Sequence, residues 1–436
     1  MNDEDAGAPA PFAEPGRGVV SVYRRATLID GTGGPAQPSM TIVADGAEIV
    51  SVGPDDEVPE DQGAGARVFD LAGQFVIPGL IDSHQHIATP PDRALAEATL
   101  RRHTYGGVTA IRIMADDLRQ IGDLARATRV GEIPGPDIHY AALMAGPSFF
   151  DDPRTWQVSK GETPGSVPWM QAITDETDLP LAVALARGTH ATAIKIYADL
   201  PGRTVAAITA EAHRQGILVW AHGTVFPASP AEVIGAGVDS VSHVTSLAYE
   251  AAVSQLSTYK DKPPIDYDRF AGGDDPLIDS LFAQMRSRGT ILDATASMWI
   301  GDPPTDPDGQ AKAKANSALS ASLTAQAYRA GIPISTGTDY ETSPDHPFPA
   351  LHEEMTFLAR HCGIPAEQVI RCATLVGARS IGAQASMGTV EAGKLANFVV
   401  LAEDPVADLA NLSSIRLVVK RGHRYDRSEY QPEAAK

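Results

Sequence analysis

Eight short apolar segments, separated by longer helical or loop stretches, are the feature that most limits how this chain can fold. They are FVIPGLIDSHQH, GVTAIRIM, DIHYAALM, ATAIKIYA, ILVWAHG, VDSVSHVT, TILDATAS and IPISTGTD, and they span Phe75 to Asp339. Strands that alternate with helices form a parallel sheet, because each parallel connection needs a crossover. Eight such units predict an α/β fold in which the strands close into a (β/α)8 barrel.

The stretches between these segments carry helix signals. RTVAAITAEAHRQG places Val205, Ile208 and Ala212 on one face and stops at Gly216, and SALSASLTAQAYRAGIP stops at Gly331. Three connections are long, at residues 145–190, 246–289 and 298–331. Because the loops after the strands of a barrel surround its active site, we expect these three to form the rim of the mouth.

Both ends of the chain are rich in short strand patterns. VVSVYRRATLID, MTIVADGAEIVSVG and ARVFDLAGQFVI lie at the start, and GTVEAGKLANFVVLAED and SIRLVVKRGHRY lie near the end. We expect the two ends to pair into one β unit. The predicted organisation is a disordered tail over residues 1–18, a composite β domain over 19–75 and 385–425, a barrel over 76–384 and a C-terminal tail over 426–436.

Composition limits the class of partner. With 35 basic and 55 acidic residues the formal net charge is −20, which disfavours nucleic acid and anionic membranes as partners. The sequence contains no apolar run of about 18 residues and no secretory signal pattern at its start. The two cysteines, Cys362 and Cys372, form no CxxC pair. We therefore expect a cytoplasmic protein with reduced thiols and a small-molecule substrate, as a monomer or a homo-oligomer.

Polar side chains stand at or near the carboxyl ends of five of the eight predicted strands. Residues i and i+2 of a strand face the same side, and in a barrel these strand ends converge on one mouth. A single histidine near a strand end is often a hydrogen-bonded core residue, and an aspartate there often caps a helix. The coincidence on five strands instead favours a metal site formed by His84, His86, Lys195, His222, His243 and Asp339.

Several of these motifs together resemble the amidohydrolase superfamily of metal-dependent hydrolases. They are PGLIDSHQH, the lysine in AIKIY, the GTD after the eighth strand and the closing GTVEAGKLANFVVL. Within it, the chain is most similar to the imidazolonepropionase-like, prolidase-like and ochratoxinase-like group, in which a lysine is carboxylated. The resemblance covers about residues 19–425 and implies a barrel with a small β-sandwich domain formed by both chain termini.

The resemblance also implies a ligand set for two divalent ions, with Zn²⁺ as the expected metal. His84, His86 and Asp339 would bind the more buried ion, and His222 and His243 the more exposed one. Lys195 would react with CO₂ to give N6-carboxylysine and bridge both ions. Imidazole nitrogen and carboxylate oxygen are ligands that zinc prefers, whereas an ammonium group has no lone pair to donate.

The implied activity is hydrolysis of an amide C–N bond in a dipeptide, an N-acyl amino acid or an aryl amide. A metal-bridged hydroxide would attack the carbonyl, with carboxylated Lys195 holding the metals and Asp339 as general acid/base. Alternation along AIKIY turns Tyr197 to the same side as Lys195. We expect Tyr197, Trp299 and His346 to contact the substrate.

Three other functions fit parts of the same pattern. A cyclic amide, a lactone or a carbamate would use the same machinery as an open-chain amide. A mononuclear deaminase of the same superfamily needs the two histidines of the first strand, His222 and Asp339 but not Lys195. A metal-free scaffolding protein on this fold would have no need of the ligands, all six of which are present here.

Overall fold

The structure is a computed structural model that describes residues 18–59, 65–301, 304–343 and 345–432. The predicted disordered tail, residues 1–18, lies outside the described residues except for Gly18, and so do the last four residues of the predicted C-terminal tail.

Eighteen strands are present in the described residues. They are β1 (Val20–Leu28), β2 (Gln37–Asp45), β3 (Glu48–Pro54), β4 (Arg67–Asp70), β5 (Phe75–Pro78), β6 (Leu80–Gln85), β7 (Val108–Ile113), β8 (Asp137–Ala145), β9 (Ser166–Val167), β10 (Met170–Ala172), β11 (Ala193–Ile196), β12 (Leu218–His222), β13 (Ser240–Ser242), β14 (Ile291–Asp293), β15 (Ile334–Ser335), β16 (Phe398–Leu401), β17 (Ile415–Lys420) and β18 (His423–Asp426).

Within the same described ranges, thirteen α-helices connect or follow these strands. They are α1 (Arg93–Tyr105), α2 (Leu118–Arg129), α3 (Pro153–Val158), α4 (Leu179–Gly188), α5 (Gly202–Arg214), α6 (Pro230–Gly235), α7 (Tyr267–Ala271), α8 (Pro276–Arg288), α9 (Met298–Gly301), α10 (Pro307–Arg329), α11 (Leu351–Cys362), α12 (Ala366–Arg371) and α13 (Gly377–Ser380). None of these helices combines the length and the apolar character that crossing a membrane requires.

Eight parallel strands form the barrel, in the order β6-β7-β8-β11-β12-β13-β14-β15. Each of the eight apolar segments of the sequence contributes one of these strands, so the predicted barrel is confirmed. The barrel closes through hydrogen bonds between β6 and the residues after β15. The Ser83 N–H donates to the carbonyl of Thr336 at 2.7 Å, and the Asp339 N–H donates to the carbonyl of His84 at 3.0 Å.

The predicted helix faces and ends are also present. Val205, Ile208 and Ala212 are fully buried on α5, where they pack against the outside of the barrel. Gly216 follows α5 with φ +75° and Gly331 follows α10 with φ +74°. Glycine adopts the left-handed backbone conformation without steric strain, and this conformation ends both helices.

Strands from the two ends of the chain form one mostly antiparallel sheet. Its order is β18-β17-β16-β5-β1-β2-β3, with β4 paired to β1. The first apolar segment of the sequence therefore serves two sheets, because β5 lies here and β6 lies in the barrel. The change occurs at Gly79, where an added Cβ would come within 2.1 Å of the Thr109 hydroxyl on β7. The last residue of β5 is Pro78, three residues after Phe75, where the sequence placed the end of the first β segment.

Separate hydrophobic cores in the barrel and in the terminal sheet reflect this division. Ile194 and Ile196 of β11 point into the layer between barrel and helices, whereas Tyr23 and Phe398 belong to the core of the terminal sheet. Ionic contacts join the two regions at the amino-terminal end of β8. There Asp137 lies 3.0 Å from the ammonium of Lys420 and 2.8 Å from the guanidinium of Arg421.

Candidate metal centre

The six predicted ligands lie at the carboxyl end of the barrel. His84 is in the last part of β6, and His86 follows that strand directly. Lys195 is on β11, and His222 is the last residue of β12. His243 and Asp339 come after β13 and β15.

Three histidines surround the carboxylate of Asp339. Its Oδ1 lies 3.4 Å from Nε2 of His84 and 3.3 Å from Nε2 of His86, and its Oδ2 lies 3.8 Å from Nδ1 of His243. One ligand atom each from His84, His243 and Asp339 lie within 4.8 Å of one another, close enough to hold one cation. This group combines residues that were assigned to different ions in the sequence.

His222 lies beside His243, and Lys195 lies beside Ser242. The ring centroids of His222 and His243 are 4.8 Å apart. Lys195 is completely buried, and its Nζ donates a hydrogen bond of 3.3 Å to the hydroxyl of Ser242, the neighbour of His243. All six predicted residues are therefore close to one another at one end of the barrel.

Carboxylates fix which nitrogen of two histidines is free. His84 Nδ1 lies 2.7 Å from Asp293 Oδ2, and His86 Nδ1 lies 2.7 Å from Asp116 Oδ1. An ionised carboxylate only accepts hydrogen bonds, so each Nδ1 carries a proton and Nε2 is the nitrogen left to bind a metal ion. In both rings the free Nε2 is the atom that faces Asp339, which is how metal-binding histidines are held in proteins.

These two orienting carboxylates were not singled out in the sequence, although both carry a signal. Asp116 follows the second barrel strand, and Asp293 interrupts the apolar segment TILDATAS. Asp116 also accepts the backbone N–H groups of Ile87 and Ala88, each at 2.7 Å. It therefore fixes the loop that follows β6 as well as the ring of His86.

The backbone is strained at two of the candidate ligands. His243 has φ +69° and Asp339 has φ +60°, a region that non-glycine residues seldom adopt. Such conformations persist only where the surrounding structure enforces them, and they concentrate at functional sites. Gly337 has a steric role beside them, because a Cβ there would lie 2.1 Å from Asp293 Oδ1 and 2.7 Å from His84 Cβ.

Burial controls the protonation of several site residues. It lowers the pKa of Lys195 to about 7, and nearby Arg112 acts in the same direction. Burial likewise lowers the pKa of His243 to about 3 and that of His222 well below its usual value. The pKa of Asp339 is held below its usual range because the surrounding histidines outweigh the effect of burial. Neutral imidazoles and an ionised carboxylate are the forms that bind metal ions.

A cavity of about 380 Å³ opens above this cluster. Its floor includes His86, His222, His243 and Asp339. All three long connections contribute to its wall, as predicted, and side chains from them and from the strand ends include Phe149, Arg154, Tyr197, Phe226, Tyr259, Lys262 and Trp299.

Two of the three expected substrate contacts lie at this cavity. Tyr197 lines it beside His222, with ring centroids 4.0 Å apart, and Trp299 lines it from α9. His346 is exposed instead and is not part of the wall. Its Nδ1 lies 2.8 Å from the carbonyl of Phe348, and Arg102 holds the preceding loop by donating to the carbonyl of Ser343 at 2.7 Å.

The donor set fits divalent metal ions. Imidazole Nε2 atoms converge on a carboxylate at distances longer than direct hydrogen bonds, and the rings are fixed from behind by Asp293 and Asp116. Imidazole and carboxylate together suit zinc and similar ions.

Comparison with known proteins agrees with the fold and the motifs. Residues 75–424 match the model of the amidohydrolase family. This chain belongs to the amidohydrolase family. It is a hydrolase of that family, and the match spans the whole barrel together with strands from the terminal sheet.

Individual proteins of known name share a quarter or less of their residues with this chain over most of its length. The imidazolonepropionase of Symbiobacterium thermophilum is 25% identical over 426 residues, which cover 88% of this chain and 89% of that protein. A putative prolidase from Bifidobacterium longum superimposes with a TM-score of 0.72 at 23% identity, covering 97% of each chain. Ochratoxinase from A. niger superimposes with a TM-score of 0.74 at 20% identity, covering 95% of this chain and 97% of the other. At these identities the structural likeness concerns the fold.

Proposed function

We propose that this protein is a metal-dependent amidohydrolase that cleaves an amide C–N bond of a small molecule. The observation that carries the proposal is the convergence of the His84, His86 and His243 rings on the Asp339 carboxylate at the floor of a cavity. Metal-dependent hydrolysis needs imidazole and carboxylate groups held in fixed positions around the ion.

Two divalent ions, with zinc as the expected metal, would be held by the six residues. His84, His86 and Asp339 would bind one, His222 and His243 the other, and carboxylated Lys195 both. Carboxylation forms a bond between Nζ and the carbon of CO₂ and releases one proton. Only a neutral amine has the lone pair for this step, and burial lowers the pKa of Lys195 to about 7, which supports it.

Asp339 is suited to move protons during hydrolysis. Bound divalent ions lower the pKa of water toward neutrality and polarise a carbonyl group. Asp339 lies at the cavity floor, so its carboxylate can accept a proton from the attacking water and return it to the leaving amine. The surrounding histidines keep it ionised before that transfer.

The cavity wall favours an amide with an aromatic or apolar part and an anionic group. Phe149, Tyr197 and Tyr259 form a connected aromatic surface, with Phe149 and Tyr197 ring centroids 4.4 Å apart. Arg154 and Lys262 bring positive charge to the same wall, whereas the acidic side chain that lines it is the floor residue Asp339. We propose Tyr197 and Trp299 as substrate contacts and retain dipeptides, N-acyl amino acids and aryl amides as substrate classes.

A mononuclear deaminase is the second candidate, because a site for one metal ion needs fewer ligands than a site for two. His84, His243 and Asp339 form a three-ligand group without Lys195. A segment of 112 residues is 31% identical to an adenine deaminase from Rubrobacter xylanophilus, over 22% of this chain. A mononuclear enzyme of this kind would release ammonia and would not depend on Lys195.

The test is a substrate screen of purified protein reloaded with zinc and bicarbonate. Dipeptides, N-acyl amino acids, aryl amides, cyclic amides, lactones and carbamates are incubated, and products are identified by mass spectrometry together with an ammonia assay. We expect the wild type to release an amine and the corresponding acid. Lys195→Ala and Asp339→Asn should lose this activity, whereas Asp345→Asn, a control at an exposed position, should keep it. Ammonia release that survives Lys195→Ala would favour the deaminase, and absence of bound metal would favour a scaffold.

A further inference from the structure

A buried carboxylate on β14 lies at the junction of several contacts beneath the metal centre. Asp293 Oδ2 is 2.7 Å from His84 Nδ1, 2.8 Å from the Ser242 hydroxyl and 2.9 Å from Nη2 of Arg112. Asp293, Ser242 and Arg112 are completely buried. One oxygen atom is therefore shared by three side chains from three other strands.

The contacts continue from Ser242 to the candidate bridging residue. The Ser242 hydroxyl donates its hydrogen to Asp293, which turns its lone pairs away from that carboxylate. Lys195 Nζ donates a hydrogen bond of 3.3 Å to the Ser242 hydroxyl oxygen. Lys195 is thereby connected, through one hydroxyl group, to the carboxylate that orients His84.

We propose that Ser242 and Asp293 are positioning residues that join the two halves of the metal centre. Asp293 fixes the ring of His84, and Ser242 extends the same hydrogen-bond chain to the nitrogen of Lys195. The inference rests on the proposed function, in which Lys195 is carboxylated and bridges two ions. It adds that the lysine is held in place from below by Ser242, in addition to any contact with the ions.

The chemistry of carboxylation is compatible with this contact. The neutral lysine amine has two N–H groups, and formation of the bond to CO₂ removes one as a proton. The remaining N–H is still a donor, and the Ser242 oxygen is still an acceptor. The same hydroxyl group therefore serves the amine before the reaction and the carbamate after it.

Arg112 is a buried cation that pairs with Asp293. It forms an ion pair with Asp293, its guanidinium lies 4.7 Å from the centre of the Trp220 ring, and its Nε donates to the carbonyl of Ser83 at 2.5 Å. Ser83 precedes His84 on β6. The pair thus ties the hydrogen-bond chain to the strand that carries the first ligands, and loss of either charge would leave the other buried and unmatched.

The other orienting carboxylate lies outside this chain of contacts. Asp116 accepts hydrogen bonds from His86, two backbone N–H groups and the hydroxyl of Thr89, and within the described residues it forms no hydrogen bond with Ser242 or Lys195. Of the two orienting carboxylates, Asp293 is therefore the one that connects a histidine ligand to the lysine in the described part of the chain.

The experiment compares two buried serines on the same strand. Ser242→Ala removes the link to Lys195, whereas Ser240→Ala is the control, because within the described chain the buried Ser240 hydroxyl has no hydrogen-bond partner. Metal-free wild type and variants are titrated with zinc at several bicarbonate concentrations. Bound zinc is counted by mass spectrometry, and the lysine carbamate is followed by carbon NMR after addition of ¹³C-bicarbonate.

We expect two zinc ions in wild type and in Ser240→Ala. Ser242→Ala should keep the first ion but bind the second about 10–100-fold more weakly, the usual effect of removing an outer contact of a metal ligand. About ten-fold more bicarbonate should be needed for half-maximal carbamate. Asp293→Asn should weaken the binding of both zinc ions. Thermal unfolding of the metal-free forms of the two serine variants should be alike, which separates positioning from loss of stability.

Each result decides between the two proposals. If wild type binds two ions and hydrolyses amides, and Ser242→Ala matches it in zinc and bicarbonate dependence, the inference fails and the proposed function stands. If wild type binds one ion and forms no carbamate, the inference fails and the deaminase is favoured. If wild type binds no ion, both proposals fail.

Discussion

Two buried clusters of charged and polar groups lie at opposite ends of the barrel, and they are built differently. At the amino-terminal end, Asp137 contacts Lys420 and Arg421, and Lys420 also donates to the carbonyl of Thr128 at 2.9 Å. At the mouth, imidazole nitrogens converge on Asp339 at 3.3 to 3.8 Å.

The difference lies in whether the chain satisfies its own charges. At the amino-terminal end the Asp137 carboxylate is neutralised by two cations at hydrogen-bond distance, so its charge requires no bound ion. This cluster joins the terminal sheet to the barrel. At the mouth, the Nε2 atoms of His84 and His86 face a carboxylate at 3.3 to 3.4 Å and make no shorter contact with it. A closed cluster of this kind stabilises the fold, and an open one is suited to hold a cation.

The largest expected effect is on catalysis at the mouth. Asp339→Asn keeps the shape of the side chain but removes its basicity, so kcat should fall about 10³-fold, within the range for loss of a general acid–base group. Lys195→Ala should do the same by removing the bridging group. Steady-state kinetics on the best amide measures this, with Asp345→Asn as control. Near-normal turnover in either variant would contradict the assigned roles.

The second expected effect is on stability and concerns the closed cluster. Asp137→Asn leaves Lys420 and Arg421 buried beside a neutral group, so the free energy of unfolding should fall by about 3 kcal/mol. Urea unfolding measures it. Asp70→Asn, which breaks the exposed pair with Arg25, should change stability by less than about 1 kcal/mol. The comparison of the clusters breaks down if Asp137→Asn instead lowers kcat at unchanged stability.

A pH series sharpens the same point. Burial opposes ionisation of Asp137, but Lys420 and Arg421 outweigh it and lower the pKa to about 2. The stabilisation is therefore complete above the unfolded-state pKa near 3.8 and is lost as the pH falls through about 2. It amounts to about 2 kcal/mol. The difference in unfolding free energy between wild type and Asp137→Asn should shrink between pH 5 and pH 2, and a constant difference would contradict the ion pairing.

The smallest expected effect is on substrate binding at the wall of the cavity. Lys262→Met should raise KM about ten-fold for an amide that carries a carboxylate, equal to about 1.4 kcal/mol. A neutral analogue of the same amide should be unaffected. Lys260→Met is the matched control, because Lys260 is exposed on the same loop and does not line the cavity. Equal loss for charged and neutral amides would show that Lys262 acts through packing on Tyr259.

Local patterns were enough to place the candidate ligands. The apolar segments predict the barrel strands because buried parallel strands read as short apolar runs, and strand alternation turns Lys195 and Tyr197 to the same side. Once the number of strands is eight, the carboxyl ends must converge. The six ligand candidates follow from those two steps.

The same reasoning did not find the residues that orient the ligands. Asp116 and Asp293 are ordinary acids in the sequence, and their roles depend on contacts to His86 and His84 across 30 and 209 positions of chain. His346, in contrast, was included among the expected substrate contacts because it lies in the loop after Asp339. Hydrogen bonds within that loop turn it to the surface.

The sequence by itself determined the strands, the helix ends and which side chains point into the barrel, because these depend on hydrophobic periodicity and turn chemistry over a few residues. Tertiary structure alone decided which imidazole nitrogen is free, that Asp293 serves both His84 and Ser242, and which loop residues line the cavity. Those properties depend on distances of about 3 Å between atoms of different strands, which are fixed only when the barrel closes and its loops pack.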